Sequence, residues 1–295
     1  MLECVANVSE GRDEGVIGRL RVACGRSLLD THTDPHHNRS VLTMAGSDAE
    51  VQRATRALAQ AAVELLDLGP HEGAHPRFGV LDVVPFVPLI SHLGPSERAI
   101  PRLAPNPPLG PTVGARNRFA QWAADTLKLP CFLFGPLGPR HHRTLPTVRR
   151  DAFSQLKPDF GPDSPHPTAG ACAVGARHFL VAYNLFLHGG DQELAAEVAR
   201  SVRGPAVRAL GMDAGGRIQV SCNLVDPRTV GPADVYDEVA SRLDGTGAGI
   251  VGCELVGLLP RAVLEAIPEH RWAELGLSPE VTIEARMEER GVSWR

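Results

Sequence analysis

The order of predicted elements repeats between the two halves of the chain, and this repeat limits the fold more than any other feature. In the first half, Asp13 is placed to cap one helix, and Ser47 with Glu50 forms the capping box of a second, amphipathic helix. Short apolar runs predict strands around these helices, at residues 2–8, 28–30, 38–45 and 80–87. The order is β-α-β-β-α-β, which is the split βαβ or ferredoxin-like unit.

The second half shows the same order. Residues 218–224 alternate between apolar and polar side chains, which predicts a half-buried antiparallel strand, and Asp191 is placed to cap a helix. Apolar runs predict further strands at 179–187, 207–210 and 250–255. We therefore predict the α+β class with two ferredoxin-like subdomains, residues 1–177 and 178–295. The length of 295 residues, about twice that of a typical domain, agrees with this division.

The stretch between the two repeats is less regular. Within residues 91–177 the pattern predicts one helix at 115–127 and a short strand at 130–134. Residues 31–37 are predicted as a turn, and residues 158–170 contain too many Pro and Gly for a regular element. A long loop in a compact chain is usually functional or disordered, and this loop lies between the predicted subdomains, where small-molecule clefts often form.

Charge and composition exclude several classes of protein. The net charge is −4 and no run of basic residues occurs, which argues against a nucleic-acid or anionic-membrane surface. The N-terminus lacks the pattern of a secretory signal, and no apolar run reaches the roughly 18 residues of a membrane span. The six cysteines form no CxxC pair and lie among apolar neighbours, so we predict buried free thiols in a reducing cytoplasm. They are Cys4, Cys24, Cys131, Cys172, Cys222 and Cys253.

The string HEGAH at residues 71–75 matches the HExxH pattern of zinc proteases. That chemistry needs both histidines on adjacent turns of one helix. Gly73 inside the motif and Pro76 directly after it prevent such a helix. We predict no metal here, and a metallohydrolase remains an alternative that metal analysis of the protein would test.

Two polar segments are candidates for chemistry. His75 precedes a proline at the start of a buried strand, which suits a positioned acid or base, although a loop histidine next to Pro and Gly is more often a solvated or capping residue. Arg77 is placed either to bind a carboxylate or to pair with Asp82. Residues 30–39 hold three histidines and two carboxylates, which fit a metal tract or, equally, a polar loop capping two strands. No Gly-rich nucleotide motif occurs.

Several strings, in order along the chain, resemble the formiminotransferase domain family. The start ECVANVSEGR at residues 3–12 is similar to the ECVPNFSEG opening of the family, and HEGAHPRFGVLDVVPFVP at 71–88 resembles its longest signature. The remaining similar strings are NRSV at 38–41, RTLP at 143–146, PDFGP at 158–162, GAR at 175–177, NL at 223–224 and LVG at 255–257.

The resemblance implies a one-carbon transferase. The activity would be transfer of the formimino group from N-formimino-L-glutamate to N5 of tetrahydrofolate, in histidine breakdown, with tetrahydrofolate as co-substrate and no metal. It implies a homodimer in which each chain has an N-terminal subdomain, residues 1–177, and a C-terminal subdomain, residues 178–295, with their sheets facing a central folate cleft. No cyclodeaminase portion is expected.

The resemblance also implies site residues. The catalytic histidine of the family corresponds to His75. The folate-contacting stretch corresponds to Gly161, Pro162, Asp163, Ser164, Pro165, His166, Pro167, Thr168, Ala169 and Gly170. Supporting roles are expected for Asp30, His32, Asn38, Arg39 and Arg77. Because the formimino group is cationic, an acceptor such as a backbone carbonyl, Asp30 or Asp34 is expected to face it, and Arg39 and Arg77 are candidates for the substrate carboxylates.

Two residues beside His75 depart from the usual family string HKGEHPR, since Glu72 replaces Lys and Ala74 replaces Glu. His32 stands where the animal enzymes have Asp. Charges next to an imidazole change its pKa, and they also change which amino-acid donor fits beside it. Two alternatives therefore stay open: a related one-carbon transferase with another donor, and a folate-binding protein without turnover.

Overall fold

The computed structural model describes residues 1–74, 77–89 and 108–293. The described residues form two compact units. The first unit runs to His178 and includes the residues from Arg290 onward, and the second unit is Phe179–Glu289. His75 and Pro76 lie outside the described residues.

The first unit is built on a seven-stranded sheet in the order β2-β3-β1-β4-β7-β5-β6. Its first four neighbours have the strand order of a split βαβ unit, and β7, β5 and β6 widen the sheet beyond β4. Its elements are β1 Leu2–Val8, α1 Glu14–Cys24, β2 Leu28–Asp34, β3 Arg39–Gly46, α2 Asp48–Leu65, β4 Leu81–Pro88, α3 Gly110–Leu127, β5 Cys131–Gly138, β6 His141–Arg143, α4 Leu145–Asp151 and β7 Cys172–Ala176.

Local chemistry explains where the helices of the first unit begin. The Asp13 carboxylate accepts a hydrogen bond from the Val16 backbone N–H, and Ser47 and Glu50 form the expected capping box of α2. The apolar face of α2, including Leu58, then packs in a buried core with residues of β1, β3, β4 and α3. This burial, rather than helix propensity alone, holds α1, α2 and α3 on one face of the sheet.

The second unit has a four-stranded antiparallel sheet in the order β11-β8-β10-β9, which is again the split βαβ order. Its separate core includes Tyr183 and Leu185 of the first strand and Val235 and Val239 of a helix. The elements are β8 Val181–His188, α5 Gln192–Ser201, β9 Val207–Asp213, β10 Ile218–Leu224, α6 Pro232–Leu243, β11 Gly249–Val256, α7 Arg261–Glu265 and α8 Ile283–Arg290.

The α+β class and the two split βαβ element orders are confirmed. Two expectations are wrong in detail. Strand β2 continues through the polar residues 31–34, because these residues pair with β3. The stretch 108–177 is more regular than expected, since it supplies three strands and two helices.

Five cysteines are buried and Cys253 is half-buried, and all six are free thiols. Among the described residues, no helix is both long enough and apolar enough to cross a membrane.

Candidate functional site

One end of the seven-stranded sheet gathers most of the segments that the sequence singled out. The pairing register shows that β1 and β2 finish at this end, whereas β3, β4, β5 and β7 start there. The connections that enter and leave these strands therefore lie side by side. They are the β2–β3 turn, the segment before β4 and the Pro-rich loop before β7.

The β2–β3 turn is fixed by Asp34. Its Oδ1 accepts hydrogen bonds from the backbone N–H groups of His36 and His37, both at 2.8 Å, and its Oδ2 lies 2.7 Å from His37 Nδ1. Desolvation opposes ionisation of this carboxyl, but the hydrogen bonds from His37 and His36 outweigh it and lower the pKa of Asp34. The Asp34 carboxylate is thus used to hold the turn. Asp30, the other carboxylate of β2, does not hold the turn.

Asn38 joins three of the segments. Its backbone has a φ of 49°, in the left-handed region that Asn tolerates. Its buried side chain accepts a hydrogen bond from Gly11 N–H at 2.9 Å and donates one to the carbonyl of Glu72 at 2.8 Å. Asn38 therefore ties the turn both to the chain leaving β1 and to the segment that precedes His75.

The segment around His75 is anchored on both sides. Gly73 passes so close to the turn that a Cβ there would lie 2.4 Å from the His37 carbonyl oxygen, and Ala74 N–H donates to the carbonyl of His36 at 3.3 Å. Arg77 donates from Nη1 to the carbonyl of Gly73 at 2.9 Å and from Nη2 to the carbonyl of His71 at 2.5 Å. Residues 71–74 are not helical, as the sequence predicted.

A buried carboxylate lies at the start of β4. Asp82 is 1% exposed, its Oδ1 accepts the backbone N–H of Phe78 at 3.0 Å, and its Oδ2 lies 2.5 Å from Arg149 Nη2 and 3.7 Å from Arg39 Nη1. The sequence left open a pair between Asp82 and Arg77, but the cations at this carboxylate are Arg39 and Arg149. Arg149 belongs to α4, and sequence reasoning missed it because no local pattern connects α4 with β4.

Arg39 reaches from β3 to β1 as well. Its Nε and Nη2 donate to Asn7 Oδ1 at 3.1 and 2.6 Å. Burial lowers the pKa of Arg39 to about 10, Arg149 acts in the same direction, and Asp82 opposes them. Arg39 therefore stays charged at neutral pH, and two cations share the single carboxylate of Asp82.

The C-terminal part of the Pro-rich loop pairs with the chain on both sides of His75. Leu68 N–H donates to the carbonyl of Thr168 at 2.8 Å, and Val80 N–H donates to the carbonyl of Ala169 at 3.0 Å. Gly79 and Gly170 form an isolated β-bridge. The structure thus brings the proposed folate-contacting stretch against the segment that carries the proposed catalytic residue.

The ten residues of that stretch differ in exposure. Residues 161–165 and Pro167 are exposed, His166 and Thr168 are half-buried, and Ala169 and Gly170 are buried. His166 Nδ1 accepts backbone N–H groups from Ala169 at 3.0 Å and Thr168 at 3.3 Å, so its ring closes the loop on itself. The backbone N–H and carbonyl groups of Ala169 and Gly170 are all hydrogen-bonded within the protein.

Asp30 and His32 lie further along β2, opposite Thr43 and Val41 of β3. Because they are two residues apart on a strand, their side chains share one face of the sheet, and both are half-buried. Asp30 is four residues from Asp34, or about 13 Å along the strand. Among the described residues, no three His, Cys, Asp or Glu side chains group as metal ligands.

Comparison with known proteins places the chain in a family. The family model described as the formiminotransferase domain, N-terminal subdomain, matches residues 1–177. The chain belongs to the formiminotransferase domain family. The match spans β1 to β7, so the whole cluster at the end of the first sheet lies within the region that the family model covers.

Three relatives illustrate the similarity. The chain is 33% identical to a glutamate formimidoyltransferase of Thermoplasma acidophilum, over 98% of this chain and 97% of that protein. It is 32% identical to a glutamate formimidoyltransferase of Streptococcus pyogenes, over 92% of each. It is 33% identical to the formimidoyltransferase-cyclodeaminase of Gallus gallus, over 90% of this chain and 51% of that longer protein.

Proposed function

We propose that this member of the formiminotransferase domain family is a glutamate formimidoyltransferase, which moves the formimino group of N-formimino-L-glutamate to N5 of tetrahydrofolate. The similarity to two proteins of that name over more than nine-tenths of the chain carries the proposal. The convergence of the motif segments at one sheet end supports it, because a two-substrate reaction needs groups from several segments in one place.

The reaction requires proton transfer at two nitrogens. N5 of the folate attacks the amidine carbon and forms a new C–N bond, and the bond between that carbon and the glutamate nitrogen breaks. The attacking nitrogen loses a proton and the departing nitrogen gains one. An imidazole with a pKa near 6.5 can accept the first proton and donate the second, and such acid–base catalysis contributes about 10²–10⁴-fold in rate.

His75 is the residue to which we assign this role. His75 itself lies outside the described residues, and the support comes from its sequence motif and from its neighbours. Ala74 on one side is held by the turn, and Arg77 on the other is held by two carbonyls. A short segment anchored at both ends suits a group that must be positioned for proton transfer.

For the formimino donor, we assign the cation-facing carboxylate to Asp30, with His32 on the same strand face, since Asp34 is used by the turn. Arg39 and Arg77 are proposed to bind the substrate carboxylates, and Asn38 supports them by fixing the turn.

Tetrahydrofolate is proposed as the co-substrate, bound by the stretch 161–170. The exposed residues 162–165 and Pro167, with the half-buried His166 and Thr168, offer side chains to a ligand, whereas Ala169 and Gly170 contribute by anchoring the loop. We retain the subdomains 1–177 and 178–295 as part of the proposal.

The protein is further proposed to be a cytoplasmic homodimer. Six free thiols are typical of a reducing compartment. The dimer follows from the family resemblance, and light scattering of the purified protein measures the mass directly.

The deciding assay mixes N-formimino-L-glutamate with tetrahydrofolate and follows 5-formiminotetrahydrofolate. We expect turnover by the wild-type protein and a loss of about 10²–10⁴-fold in His75→Ala, because the acid–base group is removed. His270→Ala, an exposed histidine of the second unit, is the matched control and should keep full turnover.

Other outcomes of the same assay identify the alternatives. Turnover with an N-formyl or another N-formimino amino acid, but not with N-formimino-L-glutamate, indicates a related transferase. Folate binding without any product over hours indicates a binding protein. Full turnover by His75→Ala contradicts the acid–base assignment.

A further inference from the structure

The Asp82 carboxylate connects elements that are distant in sequence. Its Oδ1 holds the backbone N–H of Phe78, and its Oδ2 is bound by Arg149 of α4. Arg39 approaches the same oxygen from β3 and continues to Asn7 of β1. A chain of polar contacts thus crosses β1, β3, β4 and α4 at the end of the sheet where the proposed site lies.

The carboxylate is also shielded from solvent. The Asp82 side chain is 2% exposed, whereas the side chains of Arg39 and Arg149 are 17% and 22% exposed. The Arg149 guanidinium carbon lies 6.0 Å from the centre of the Phe78 ring, so Arg149 contacts both the carboxylate and the residue that this carboxylate holds. Because an unpaired buried charge is costly, a buried carboxylate depends on its cations, and Arg149 Nη2, at 2.5 Å, lies nearer to Asp82 Oδ2 than Arg39 Nη1, at 3.7 Å.

Phe78 is three residues after His75, so its anchor determines where the chain leaves the proposed acid–base residue. On the other side, Ala74 is anchored by the β2–β3 turn. The hydrogen bond from Phe78 N–H to Asp82 therefore anchors the chain on the C-terminal side of His75, as the hydrogen bond from Ala74 N–H to His36 anchors it on the N-terminal side.

We propose that Asp82 and Arg149 are positioning residues for the transfer reaction: Arg149 holds Asp82, and Asp82 fixes the backbone at Phe78 and with it the segment that carries His75. This inference rests on the proposed function. It predicts that loss of Arg149 slows the chemical step while leaving the binding of both substrates largely intact.

The test compares Arg149→Met, Arg149→Lys and Asp82→Asn with the wild-type protein in the formimino-transfer assay. We expect Arg149→Met to lower kcat by about tenfold to a hundredfold, since small displacements of catalytic groups have effects of this size, with KM for each substrate changed less than about threefold. Arg149→Lys restores a cation next to Asp82 and should recover most of kcat.

Arg150→Met is the matched control on the same helix. The Arg150 side chain is 70% exposed and pairs with its neighbour Asp151, so this variant should keep wild-type kinetics. Since Asp82→Asn alters a buried group and can fail to fold, circular dichroism is recorded for every variant, and the partly exposed Arg149 gives an independent test of the same link.

A double variant checks that the two residues act together. If Arg149 acts through Asp82, the combined Asp82→Asn and Arg149→Met variant loses no more kcat than the worse single variant. Additive losses, a wild-type kcat in folded Arg149→Met, or a loss confined to KM would each overturn the inference. Absence of turnover in the wild-type protein would instead overturn the proposed function, so the two failures are distinguishable.

Discussion

The two units share one strand order but differ at one end of their sheets. In both units the first two strands of the split βαβ finish at this end, and the third and fourth strands start there. In the first unit this end carries Asp34, Asn38, Arg39 and the segment around His75. In the second unit the equivalent connections, residues 189–191, 214–217 and 244–248, are rich in glycine.

The hairpin turns show the difference directly. Between β9 and β10, Gly215 and Gly216 have φ angles of 69° and 84°, and the turn closes with two local hydrogen bonds, from Ala214 N–H to the Arg217 carbonyl and from Gly216 N–H to Asp213 Oδ1. Between β2 and β3, Asp34 makes a similar local contact, but the Asn38 side chain also binds the neighbouring segments at Gly11 and Glu72. The two sheets share one topology, and the connections between their strands determine which sheet can hold a functional site.

Among these variants, the largest effect is expected at Gly79, where two backbone segments of the first unit pack closely. A Cβ at Gly79 would lie 1.8 Å from the carbonyl oxygen of Ala171, so Gly79→Ala must displace the backbone at Ala171, directly after the Pro-rich loop. We expect a loss of about 1–3 kcal/mol in the free energy of unfolding, together with a large loss of turnover. Denaturant unfolding measures the first and the transfer assay the second.

Its control lies in the second unit. Gly252 on β11 has no atom within 4 Å of an added Cβ, so Gly252→Ala should change stability by less than about 0.5 kcal/mol. Equal effects of the two variants would contradict the view that close packing at the end of the first sheet is needed for function.

A smaller effect is expected from the ring that closes the Pro-rich loop. His166→Ala removes the acceptor of the Ala169 and Thr168 N–H groups, and we expect KM for tetrahydrofolate to rise about tenfold, which corresponds to one or two lost hydrogen bonds. His166→Asn supplies a side-chain oxygen as an alternative acceptor and should stay near the wild-type value. An unchanged KM in His166→Ala would contradict the proposal that this loop binds tetrahydrofolate.

The smallest expected effect is a pH dependence of stability at His71. Desolvation is the main cause that lowers the pKa of His71 below its ordinary value of 6.5, and the charge of Arg77 is the second. The unfolded state therefore binds a proton more readily, so the free energy of unfolding is unaffected above about pH 6.5 and falls as the pH drops below it. Unfolding curves between pH 7.5 and 5 should show a weaker decline in His71→Gln than in the wild-type protein, whereas the exposed His270→Gln should follow the wild-type curve.

Local patterns predicted the repeated scaffold well. The Asp13 cap, the Ser47–Glu50 capping box and the alternation of residues 218–224 each act within a few residues, so the sequence shows them directly. The polar C-terminal part of β2 was taken for a turn because an edge strand with half-buried polar side chains has the composition of a loop. The pairing of β4 with β7 and of β7 with β5 joins distant segments and leaves no local signature.

The candidate site was predicted in part. Motif strings located the segments at residues 30–39, 71–80 and 158–170, and the structure brings the three segments to one end of a sheet. Arg149 was missed, since its contact with Asp82 spans 67 positions of sequence. The buried state of Ala169 and Gly170 was also not foreseen, because small residues in a Pro-rich loop look exposed until their hydrogen-bond partners are known.

The buried thiols allow the unfolding of each unit to be followed separately. Cys4, Cys131 and Cys172 lie wholly inside the first unit, and Cys222 lies inside the second. Burial raises the pKa of each of these thiols, which suppresses the reactive thiolate in the native state. Alkylation at these positions, resolved by mass spectrometry, therefore times the opening of each unit separately in a single sample.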